Sequence, residues 1–158
     1  MTTVEEVAAN VAILRGDVDL QIAARVYRTD AQTIATSTEA SVAFTHQRRV
    51  DGGLHTTADD TKMTVYVPGW YLVGASVAWT ANATGRRSTY LRLNGATDIG
   101  RSLKSTSHAT LTEKTAVTTV YHFAAADYVE VRVFQDSGGN LDLAVAANQS
   151  PEFWMARL

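Results

Sequence analysis

Four histidines, His46, His55, His108 and His122, are the side chains of this 158-residue sequence that ordinarily titrate near neutral pH, because it contains no cysteine. No two stand four residues apart and no His-Glu-x-x-His occurs, so the spacing offers no helical metal pair. His122 lies between Tyr121 and Phe123 and is expected as a strand histidine, with a histidine ring around a three-fold axis as the sharper alternative. Ser76 occurs in Gly74-Ala75-Ser76-Val77-Ala78, which lacks the closing glycine of a nucleophile elbow and has no helix after it. It is expected as a small strand residue.

Asp59 and Asp60 beside His55 form a compact acidic cluster, and loop carboxylates can hold calcium. Their spacing fits no calcium loop, so a solvated acidic turn is expected. Arg15-Gly16-Asp17 spells an integrin tripeptide at a helix end where Gly and Arg are common anyway. Asn82-Ala83-Thr84 and Asn148-Gln149-Ser150 match the glycosylation pattern. Trp79, Tyr90 and Trp154 are aromatics that a sugar-binding surface would use, although in a sandwich such residues more often fill core or interface. No nucleophile, base and orienter occur together, so no catalytic residue, metal or cofactor is expected and the reading is non-enzymatic.

Composition narrows the classes further. With 46% apolar and 19% charged residues the chain is expected to fold as one domain, and a formal net charge of -2 gives no basic footprint for nucleic acid. The first residues lack the pattern of a signal peptide, and no apolar run reaches the ~18 residues of a membrane helix, so no membrane insertion is expected.

Two kinds of element must carry these residues. Residues 1–21 read as a helix: Thr2 and Thr3 stand at capping-box spacing from Glu5 and Glu6, and Gly16 marks a stop. Val4, Val7, Val11, Leu14 and Val18 alternate in steps of three and four, which is the seam of a short coiled coil and points to self-association. A single helix packed on its own domain remains open beside it.

Residues 22–158 read as strands near 22–28, 32–36, 41–47, 62–67, 70–80, 87–93, 97–103, 115–123, 127–135, 140–147 and 152–158. Asp51-Gly52-Gly53, Pro68-Gly69, Asn94-Gly95 and Ser137-Gly138-Gly139-Asn140 supply the turns. The expected class is an all-β antiparallel sandwich or jelly roll. Val129, Val131 and Val133 alternate with Glu130 and Arg132, so one face of that strand meets solvent. Residues 70–79 and Phe153-Trp154-Met155-Ala156 are apolar or small on both faces, and a neighbouring subunit is the economical cover. Tyr71, Tyr121, Phe123, Phe153 and Met155 are therefore expected, with the heptad residues, at a subunit interface; cover by loops of the same chain is the alternative.

Several segments, in order, resemble the globular heads of the C1q/tumour-necrosis-factor-like group. They are Val42-Ala43-Phe44, Thr61 through Val73 with its Pro68-Gly69-Trp70, Leu91-Arg92-Leu93-Asn94-Gly95, Asp127 through Val133, and Pro151 through Leu158. Ala126 departs from the group, which usually has glycine before the aspartate. The cysteine-free head, with Arg25-Val26-Tyr27-Arg28 near its start and Ser150-Pro151-Glu152-Phe153 near its end, looks most like versions found in bacteriophage virion proteins.

That resemblance implies a two-sheet jelly roll over residues 22–158 assembled as a homotrimer. It would serve as a capsid decoration, head fibre or tail component on the particle exterior, against other virion proteins. The alternative is a receptor-binding or adhesin head that recognises a host-surface glycan or protein through loops 46–60, 81–87 and 104–114.

Overall fold

The structure is a computed structural model and describes residues 22–105 and 108–158. The expected helix 1–21, its seam Val4, Val7, Val11, Leu14 and Val18, and Arg15-Gly16-Asp17 lie outside the described residues. These contain no helix. Their strands are β1 (Ala23–Tyr27), β2 (Thr33–Ile34), β3 (Thr38–Ser41), β4 (His46–Val50), β5 (Lys62–Thr64), β6 (Gly69–Trp79), β7 (Arg86–Leu93), β8 (Thr97–Ser105), β9 (Glu113–Phe123), β10 (Tyr128–Gln135), β11 (Leu141–Ala144) and β12 (Glu152–Arg157).

All pairings are antiparallel and fall into two sheets. In the larger, β6 is central: β9 runs along its whole length on one side, while β12 and then β11 share the other. From β12 this sheet continues through β1 to the edge strand β4, and from β11 to β2. In the smaller sheet β8, β7 and β10 follow in order, and β3 and β5 share the free side of β10. This is an all-β, two-sheet jelly roll.

The expected strand over 41–47 is two strands, one in each sheet. Between them Val42 and Phe44 are fully buried, and their amides bond to the carbonyls of Val131 and Asp60. An apolar crossover that buries every second side chain carries the same pattern as a strand, which is why the sequence shows no break there.

The core lies between the sheets. Tyr71, Val73, Ala75, Val77 and Trp79 of β6 meet Val129, Val131 and Val133 of β10, with Leu91, Phe123, Phe153 and Met155 closing the layer. The alternation of β10 is as read from the sequence, with Glu130 and Arg132 only partly buried on the other face. The expected interface positions Tyr71, Phe123, Phe153 and Met155 need correction. All four are sealed inside their own protomer, where Tyr71 and Phe123 meet edge to face at 5.8 Å and the rings of Phe44 and Phe153 are tilted against each other at 5.4 Å. Tyr121 is half-buried and leans on Phe123, with ring centroids 4.9 Å apart. A side chain without accessible surface has nothing to offer a partner, so an interface of this sheet must use the residues that alternate with these.

Candidate functional site

The outward face of the larger sheet follows from the register. Trp70 pairs with His122, Leu72 with Val120 on one side and Ala156 on the other, and Gly74 with Trp154. Trp70 is 56% and Val120 48% exposed, while Leu72 and Trp154 are half-buried. The exposed His122 meets Trp70 edge to face at 5.3 Å. Trp154 covers Gly74 so closely that a Cβ there would lie 2.6 Å from the indole. Part of the second apolar face is thus covered by the chain itself, and the part from Trp70 to Val120 faces outward.

The other sheet shows the opposite surface. Arg92 bonds Glu39 at 2.5 Å and Asp98 at 2.8 Å, and Arg132 reaches Ser41 at 3.0 Å. A paired, charged face is content in water, whereas contiguous exposed aromatic and aliphatic side chains mark a contact surface.

At the far end of the apolar face, β1, β4, β12 and the turn after β11 line a half-open cavity of about 300 Å³. The fold brings together here the two terminal motifs singled out in the sequence: Tyr27 pairs with Glu152, Val26 with Phe153, and the Arg28 amide reaches the Pro151 carbonyl. Glu152 is 2% exposed and accepts from Arg25 Nε at 2.8 Å and from Arg48 Nη2 at 2.8 Å and Nε at 3.1 Å. Arg48 stacks over the Tyr27 ring at 3.9 Å. A buried carboxylate needs this double neutralisation, since an uncompensated charge at such a site is strongly destabilising.

The cavity's other wall is a tight turn. The Ala146 amide bonds the Ser150 carbonyl, the Ser150 amide bonds the Ala146 carbonyl, and Asn148 holds φ at 62°. Asparagine tolerates that left-handed conformation better than most residues. Ser150 Oγ is spent inside the fold, accepting from the Ala78 amide at 2.6 Å and donating to the Ala144 carbonyl at 3.0 Å. Arg28 is likewise spent, on the carbonyls of Asp30 and Ala43.

The remaining candidates are scattered. His55 is buried, with Gln47 Nε2 at 3.1 Å from its Nδ1; burial lowers its pKa, partly offset by the Asp60 carbonyl and the charges of Asp60 and Asp59. Asp59 is paired with Lys62 at 2.6 Å, and among the described residues no group of three or more His, Asp or Glu side chains is placed to hold a metal. Ser76 is buried in mid-β6. Asn82 Oδ1 accepts from the Thr84 amide in a turn. Trp79 is fully buried and Tyr90 nearly so, the latter flanked by Arg101 and Arg92, so neither offers an open sugar platform. Sequence reasoning did not find Arg48 or the 145–150 turn. Their partners lie about a hundred residues away, and only the quoted terminal motifs pointed at this corner.

No family model and no curated protein sequence matches the chain. Solved structures match it in fold. Murine APRIL at pH 5.0 superposes with a TM-score of 0.68 at 14% identity, over 86% of this chain and 98% of that one. The Eiger TNF of S. frugiperda gives 0.67 at 14% identity, over 87% and 92%. The globular domain of zebrafish complement 1qA protein gives 0.62 at 13% identity, over 87% and 98%. The chain therefore has a C1q/TNF-like jelly roll.

Proposed function

We propose that this protein is a non-enzymatic, homotrimeric structural component on the exterior of a bacteriophage virion, as a capsid decoration, head fibre or tail piece. The observation that carries the oligomeric part is the outward patch of Trp70, Leu72 and Val120 on a sheet whose opposite number is charged and solvated. A patch of that kind on one face of a protomer is satisfied by burial against another copy, and the resemblance to the C1q/tumour-necrosis-factor-like group implies three copies around an axis. The virion part rests on the resemblance carried by Arg25 to Arg28 and Ser150 to Phe153, which lie side by side across the β1–β12 pair. Its partners are then other virion proteins.

Particles produced from the genome that encodes this chain, labelled with gold-tagged antibody against the recombinant protein, test the assignment. Label on the particle surface is expected. Particles that carry none of the chain, with all of it left in the soluble lysate, would overturn it.

A further inference from the structure

The cavity between β1, β4 and the 145–150 turn has the makings of a ligand site that the structural role above does not use. Its volume of about 300 Å³ is at the lower end of small-molecule sites and suits a single sugar ring with its substituents. Its walls differ in chemistry. One is lined by Val145, Ala146 and Ala147, whose apolar side chains suit the C–H face of a pyranose. The other presents Arg48 beside the buried Glu152, with Arg28 contributing charge while its donors stay on backbone carbonyls, and Thr29 and the exposed Asn148 adding short polar groups that match hydroxyls.

Charge selects within that class. Arg25 and Arg48 both bond Glu152, so the one carboxylate of the lining is already neutralised, and Arg28 adds a further positive charge. The surplus favours an anion and disfavours an amine. Arg48 is also held ready. Tyr27 lies beneath its guanidinium at 3.9 Å, and Glu152 engages the edge formed by Nε and Nη2. The edge formed by Nη1 and the second Nη2 proton remains, and that edge takes a carboxylate through two parallel hydrogen bonds. A side chain fixed in this way loses little freedom when a ligand arrives.

We propose that this cavity binds a carboxylate-bearing monosaccharide, of the uronic or sialic acid class, with its carboxylate on Arg48 and its ring against the Val145–Ala147 wall. The inference rests on the protomer and is independent of the virion assignment.

The test is a titration of the isotope-labelled full chain, in whatever oligomeric state it adopts, with sodium glucuronate, N-acetylneuraminate and glucose, followed by amide chemical shifts. At least one of the two acids is expected to shift residues 27–29, 48 and 145–150 with a Kd of roughly 1 mM, and glucose to bind at least about tenfold more weakly. Ala147→Phe, at the exposed wall and outside the ion-pair cluster, should abolish those shifts while leaving the melting temperature unchanged. Arg48→Gln should weaken the acid by about tenfold and leave glucose unaffected. Equal binding of glucose and the acids, shifts confined to other loops, undiminished binding by Ala147→Phe, or no response to either acid at ~50 mM would each overturn the proposal.

Discussion

Ala126 holds φ at 71°, in the region where a Cβ crowds the backbone, within a turn closed by Asp127 Oδ2 on the Ala124 amide at 2.8 Å. The resemblance marked this position as a departure from glycine, and the turn shows what glycine would do there. Ala126→Gly should raise stability by about 1 kcal/mol, the relief of left-handed strain outweighing the added freedom of the unfolded chain, as read from denaturant midpoints. His55 makes the second residue-scale prediction. Buried and neutral when folded, it takes a proton more readily in the unfolded chain, near its ordinary value of 6.5. Its contribution is therefore complete above that value, is lost as pH falls from there towards the lower folded value, and is level below it. His55→Gln should flatten that part of the stability profile between about pH 7.5 and pH 5, and an unchanged slope would remove His55 as its cause. Neither effect was legible in the sequence beyond the residue types. The sequence places His55 near Asp59 and Asp60 and marks Ala126 as a departure from glycine, but the burial of the imidazole and the left-handed φ are set by how the folded chain packs around them.

Strands were far more legible than contacts, because period-two alternation is local information. Val129, Val131 and Val133 announced their face directly, and Asn94-Gly95 its turn, where both residues have positive φ. The two-faced strand β6 was the ambiguous element. Its apolar residues could be divided between core and interface in either phase, and Tyr71 was read on the interface side although it is buried in the core. Phase is set by which side meets the other sheet, a property of the pair rather than of the strand. Two substitutions probe the element. Gly74→Ala puts a Cβ 2.6 Å from the Trp154 indole and 2.7 Å from Thr118 Oγ1, so it should displace the indole, shift tryptophan emission and cost about 1–3 kcal/mol. Leu72→Glu, on the same outward face but nearer its exposed part, should leave the circular dichroism of the protomer intact and break self-association. A variant that stays fully associated would move the interface elsewhere.

At the scale of the molecule, the two outward surfaces divide the work. The charged face around Arg92 is satisfied in water, and the face from Trp70 to Trp154 is the one that gains by burial. Residues at positions that sequence reasoning assigned to the interface do form an aromatic cluster, but it is the protomer's own core, and it fixes the strands whose other side is exposed. Self-association is therefore the claim on which the functional account turns. Equilibrium sedimentation of the purified chain, run across a range of loading concentrations, measures it most directly. The account predicts one species at three times the 17.1 kDa chain mass, independent of loading. A single species at the chain mass under every condition would contradict it.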